Sequence, residues 1–166
     1  MNEYQDKPPH DTDRSDDVYA WLLSQANRLR ESRPEAVDWL GLAEELEDIV
    51  ALQRAKVVSL LSIVQAHLLK WHYSRMRRSE HSWQRSLVAA RAELNLILDE
   101  SRILRNELPG FTVKAYAPAR RIAGTDMRLG KRDWERLFPS DCPWTPEQIL
   151  DQDFFPVLAP TANGRK

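Results

Sequence analysis

A single cysteine, Cys142, is all the thiol this 166-residue chain carries. No disulfide can close within it, and a four-cysteine zinc site is excluded. Glycine is scarce, at five residues, which argues against a turn-rich all-β fold with its many left-handed backbone positions. No Gly-rich phosphate loop and no G-x-S-x-G elbow occurs. The opening stretch is acidic and polar without an apolar run, so no secretory signal is expected. The longest mainly apolar stretch, Val57 to Leu69, is interrupted by Ser59, Ser62, Gln65 and His67. It reads as too short and too polar to span a bilayer. The expectation from these absences is a water-soluble, cytoplasmic chain with no membrane attachment.

What is present is enough apolar material for one core: hydrophobic residues make up 42% of the chain. The net charge of −1 conceals a segregation. Residues 1–50 carry five Lys/Arg against thirteen Asp/Glu, residues 51–136 carry seventeen against eight, and residues 137–166 carry two against four. Acidic and basic parts can neutralise each other within the fold or across a dimer, or the basic middle can attract a polyanion. Self-neutralisation is favoured, because a dedicated nucleic-acid binder is usually basic as a whole.

Periodicity predicts an all-α fold. Residues 1–14 read as a disordered tail, 15–158 as one helical domain and 159–166 as a flexible C-terminus. Ser15 is a candidate N-cap for a helix that presents Val18, Trp21, Leu22, Ala26 and Leu29 on one face and ends before Pro34. From Asp38 to Tyr73 the only glycine is Gly41 and there is no proline. Trp39, Leu42, Ala43, Leu46, Ile49 and Val50 share one stripe with Val57, Leu60, Leu61, Val64, Leu68 and Trp71. A continuous helix here runs about 54 Å, while a compact domain of this size has a radius of gyration of about 15 Å. The helix must therefore kink, project or be covered by a second chain. Gln53 breaks the stripe and marks a kink, a buried polar layer or a stretch open to solvent.

Arg75 to His81 reads as a connection. A helix follows from Ser82, with Trp83, Leu87, Ala90, Leu94, Ile97 and Leu98 inward. Ser101 to Leu108 predicts a shorter helix stopped by Pro109 and Gly110. Residues 112–124 form another, with Tyr116 and Ile122 inward and Pro118 kinking or dividing it. One more turn is expected around Asp133–Phe138. The Pro-punctuated C-terminal segment has Thr145 as N-cap, Pro146 at the first helical position and Gln148 completing a capping box. It is expected to pack across the bundle through Phe138, Trp144, Ile149, Phe154 and Phe155.

Four stretches in order carry a resemblance. They are DVYAWLLSQANRLR (Asp17–Arg30), DWLGLAEELED (Asp38–Asp48), AHLLKWHY (Ala66–Tyr73) with HSW (His81–Trp83), and FPSDCPWTPEQILDQDFFP (Phe138–Pro156). Together they resemble the bacterial family known as domain of unknown function 29. The resemblance implies an all-helical domain without an assigned activity. Val50 departs from the pattern, in which glycine tends to follow the acidic stretch. Pro109, Gly110 and Pro118 fall where that pattern leads one to expect uninterrupted helix.

Candidate chemistry is sparse. Glu44, Glu45, Glu47 and Asp48 point in different directions around the helix, so they read as a solvated helix start. Glu45 shares a flank with His67, and a Glu–His pair suits metal or acid–base work. On a straight helix, however, about 33 Å separates them. A partly buried structural histidine is the plainer reading of His67. Lys70, Arg75, Arg77, Arg78 and Arg85 interleave with Trp71, Tyr73 and Trp83. Such a segment can bind nucleic acid, or simply form cation–π pairs at a helix end. Cys142 lacks a recognisable base and reads as a small buried anchor. No catalytic, cofactor-binding or metal-binding residue is assigned.

The candidate cluster is therefore Glu45, His67, Lys70, Trp71, Arg78 and Trp83. The leading functional expectation is a self-associating protein–protein interaction or structural module, a homo-oligomer open to a further protein partner. Nucleic-acid binding through Lys70–Arg85 comes second. An enzyme using Glu45 and His67 comes third.

Overall fold

A computed structural model describes residues 17–32, 39–74 and 80–160. The expected tail at 1–14 and the last six residues lie outside them, as does Ser15. Among the described residues there are six helices and no strand: α1 (Val18–Ser32), α2 (Trp39–Tyr73), α3 (Glu80–Glu100), α4 (Arg102–Asp126), α5 (Lys131–Leu137) and α6 (Pro146–Leu150). The protein is all-α. Its residues group into two compact units, one of 1–55 with 98–106 and one of 56–97 with 107–166. The long helices α2, α3 and α4 each contribute to both.

In the first unit Asp17 does the capping expected of Ser15. Its Oδ1 accepts from the backbone N–H of Tyr19 at 3.0 Å and of Ala20 at 3.1 Å. The same carboxylate accepts from Ser101 Oγ at 3.3 Å and from Ile103 N at 3.4 Å. One buried carboxylate thus serves the N-termini of α1 and α4, where the helix dipoles favour negative charge. Tyr19, Ala26, Ala43, Val50, Leu98 and Leu104 are buried. Arg54 lies 5.2 Å over the Tyr19 ring, and Arg30 pairs with Glu47 at 2.5 Å. Helix α2 continues unbroken past Gln53, which is exposed to solvent along with Leu52 and Ala55. Ile49, placed on the inner stripe by periodicity, is 45% exposed.

In the second unit Val57, Leu61, Val64, Leu68 and Leu69 of α2 are buried, as are Leu87 and Leu94 of α3. Polar groups tie this core together. The single Ser62 Oγ proton is shared between Val58 O at 2.9 Å and Ala115 O at 3.1 Å, and Gln65 Nε2 donates to Thr112 O at 3.0 Å. From Ala43 to Tyr73, α2 is long and apolar enough to cross a membrane by length and composition. The apolar stretch is therefore longer than the Val57–Leu69 reading allowed.

Helix α4 corrects the expected two helices. It runs straight through Pro109, Gly110 and Pro118. Leu108, Phe111, Thr112, Ala115, Tyr116, Ala119 and Ala123 form one buried stripe, and its burial outweighs the local breakers. Both prolines are exposed, and so are Arg105 and Lys114, whose carbonyls lose a helical donor to Pro109 and Pro118. Water can satisfy carbonyls in such a setting. Ile122 is 39% exposed rather than inward. A proline inside a helix costs about 3 kcal/mol, and about 1 kcal/mol of that is recovered through the stiffer unfolded chain. Pro118→Ala is therefore expected to stabilise the protein by about 2 kcal/mol, read as a raised midpoint in urea. An unchanged midpoint would mean that the helix already absorbs the proline without strain.

Helix α4 ends in a Schellman motif: Leu129 N donates to Gly124 O at 2.9 Å and Arg128 N to Thr125 O at 3.0 Å. Arg128 occupies the left-handed position at φ 56, where glycine is usual. Helix α5 then lies close against α4, since a Cβ on Gly124 would stand 2.5 Å from Trp134 Cδ1. Helix α3 begins at Glu80, two residues before the expected Ser82. Helix α6 matches expectation, with the Thr145–Gln148 capping box complete. Phe138, Trp144 and Ile149 are buried, and Phe154 and Phe155 are half-buried.

Candidate functional site

The last two turns or so of α2, His67 to Tyr73, are where chemistry gathers in the second unit. At 100° per residue, His67, Lys70, Trp71, His72 and Tyr73 fan around the helix end. Lys70, Trp71, His72 and Tyr73 each find partners elsewhere in the unit. Lys70 is only 3% exposed. Its Nζ donates to Asp126 Oδ2 of α4 at 2.6 Å and stands 5.6 Å from the centre of the Trp83 ring on α3. Trp71 packs against Phe155 at 4.8 Å between ring centres, and Tyr73 against Phe138 at 5.4 Å. His72 grips the extended C-terminal segment from both sides. Its carbonyl accepts from Ala159 N at 2.7 Å, and its ring Nδ1 donates to Val157 O. The histidine, lysine and aromatics of the HLLKWHY signature are thus accounted for as a hub.

His67 sits beside the ion pair. Burial, and then the neighbouring Lys70 charge, press its pKa down to about 4, with Asp126 opposing. Its Nδ1 is buried and has no hydrogen-bond partner among the described residues. At neutral pH His67 is therefore uncharged, able to accept or donate one hydrogen bond but not to act as a cation. The folded state binds the proton more weakly than the unfolded chain, whose histidine titrates near 6.5. The stabilising contribution of the neutral ring is whole above pH 6.5 and is lost as the pH falls towards 4. His67→Gln is expected to flatten the stability-versus-pH curve over that window, as measured by urea unfolding at a series of pH values. An identical slope in parent and variant would place the acid sensitivity elsewhere.

A second buried cation holds α6. Arg91, fully buried on α3, donates from Nε to Ile149 O at 2.8 Å and from Nη2 to Gln148 O at 3.3 Å, and lies 5.8 Å over Phe155. Burial lowers its pKa to about 10, partly offset by Asp151. Cys142 is half-buried, its Sγ donating to Trp144 O at 3.5 Å, and burial raises its pKa. Burial thus favours the protonated thiol at neutral pH.

Of the expected cluster, His67 and Trp83 both lie near Lys70, which is paired with Asp126, while Trp71 packs on Phe155 of the C-terminal segment. Glu45 is exposed in the first unit, on the same unbroken helix as His67. Arg75, Arg77 and Arg78 lie outside the described residues. Arg85 is exposed, whereas Lys70 is committed to Asp126 and turned away from solvent. Among the described residues no three His, Cys, Asp or Glu side chains gather as a metal ligand set. Asp17 was legible as an acidic residue at the start of α1, where the helix dipole favours it, though its reach to α4 was not. Two other partners escaped. Asp126 left no local signal. Arg91 did, as a charge in the middle of the apolar face formed by Leu87, Leu94 and Leu98.

The profile of a family described as domain of unknown function DUF29 matches residues 15–155. Among solved structures, an alpha-helical protein of unknown function from Rhodospirillum rubrum is similar, with a TM-score of 0.62 and 20% sequence identity. The match covers 87% of this chain and 93% of that one. That likeness concerns the fold. No curated protein matches the chain.

Proposed function

We propose, for a chain that belongs to the DUF29 family of domains of unknown function, the role of a cytoplasmic interaction module that associates with itself. Neither the family description nor that of the solved neighbour names an activity. The observation that carries the reading is the outer side of α2 in the first unit. Ile49 and Leu52, one turn apart, are 45% and 70% exposed. Fully burying such side chains is worth about 1.5–3 kcal/mol each, and a partner is what would bury them. Support for a water-soluble chain comes from the second unit. There Ser62, Gln65 and Lys70 of α2 are bonded to α4, as in a helix packed within its own protein.

Sedimentation of the purified full chain tests the reading. The parent is expected to form a discrete oligomer, and Leu52→Glu to shift it towards monomer while keeping the same helical spectrum. A parent that stays monomeric at every attainable concentration sinks the proposal. So does a Leu52→Glu variant that assembles as the parent does.

A further inference from the structure

Ile49 and Leu52 share their side of α2 with charge. Residues 45, 48, 49 and 52 follow the i, i+3, i+4, i+7 spacing of one helical side. Glu45, Asp48, Ile49 and Leu52 are all exposed there. Neither carboxylate enters an ion pair among the described residues. The first unit thus presents two aliphatic side chains bordered by two negative charges.

The second unit presents the reverse on α4. Residues 110, 113, 114, 117 and 121 follow the same spacing on the side away from the buried stripe. Gly110, Val113, Lys114, Ala117 and Arg121 are all exposed. Val113 is 74% exposed, and a Cβ on Gly110 would meet nothing within 4 Å. This side is low in relief and apolar along its middle. It is bordered by two cations that form no ion pair among the described residues.

Resting on the self-association proposed above, we propose that the acidic side of α2, Glu45 to Leu52, docks on the basic side of α4, Gly110 to Arg121, of a second copy of this chain. The charges decide between the pairings open to these two surfaces. α2 against α2 would oppose carboxylate to carboxylate, and α4 against α4 cation to cation. Only the mixed pairing sets the carboxylates of Glu45 and Asp48 against cations, and Lys56, the next residue on that side of α2, is already paired with Glu93. The same opposition runs through the whole sequence, whose acidic excess lies in residues 1–50 and basic excess in 51–136.

The test uses two charge reversals in the full chain, Glu45→Lys with Asp48→Lys, and Lys114→Glu with Arg121→Glu, followed by sedimentation and native mass spectrometry. Each reversed chain alone is expected to associate at least about tenfold more weakly than the parent. Mixed in equal amounts, the two are expected to recover an assembly that contains both. Parent association should also weaken with added salt. The milder Asp48→Ala and Arg121→Ala stand in for any reversal whose thermal melt differs from that of the parent, and each is expected to weaken association several-fold. The docking is overturned if the reversed chains assemble like the parent, or if two folded reversed chains stay apart on mixing. If Leu52→Glu disrupts assembly while both reversals are silent, self-association stands and this pairing falls. A monomeric parent ends both.

Discussion

Asp126→Ala is expected to lower the unfolding free energy by about 3 kcal/mol, whereas Lys70→Met is expected to change it by less than about 1 kcal/mol. The asymmetry follows from exposure. The Lys70 side chain is 4% exposed and that of Asp126 46%. Removing the carboxylate strands a buried ammonium group whose other partner among the described residues is the Trp83 ring face. Removing the ammonium leaves a half-exposed carboxylate that water can solvate, and methionine fills nearly the same volume. Urea unfolding of the two variants at neutral pH makes the comparison. Equal losses would show that the pair acts as an ordinary surface bridge, contributing little from either end.

Asp17→Ala is the second large effect, expected to cost about 2–3 kcal/mol. A single N-cap is worth about 1 kcal/mol, but this carboxylate accepts from Tyr19, Ala20, Ser101 and Ile103 at once. Its loss leaves donors at two helix starts without an acceptor in a part-buried setting. Asp17→Asn keeps one acceptor oxygen and is expected to recover about half of the loss. Hydrogen exchange separates the contributions: the first turns of both α1 and α4 should lose protection in Asp17→Ala. Loss confined to α1 would mean that the reach to Ser101 and Ile103 contributes nothing.

These two carboxylates also mark how far the sequence could be read. Helix α6 was legible to the residue, because Thr145, Pro146 and Gln148 form a local device whose parts lie within four positions. The stripes of α2 and α3 were legible because burial imposes a 3.6-residue period. Helix α4 was not, since Pro109, Gly110 and Pro118 are local breakers while the force that overrides them is a stripe spread from Leu108 to Ala123. Of the hub, the signature His67–Tyr73 stood out, but its purpose did not. Lys70 needs Asp126, and His72 needs Val157 and Ala159, and no spacing rule links positions so far apart.

That remoteness bears on the order in which the second unit can form. Lys70 waits for a residue 56 positions on, Arg91 for one 58 on, Ser62 for one 53 on and Gln65 for one 47 on. Until α4 and α6 arrive, Lys70, Gln65 and Arg91 are better served by water than by their own helices, whereas Ser62 keeps Val58 O within reach. A half-made unit, with two helices docked and the rest absent, would bury cations and amides that have nothing to bond. Such intermediates are disfavoured, so this unit is expected to fold in one step that waits for distant contacts. A slow, single-exponential refolding phase is the kinetic signature of that arrangement.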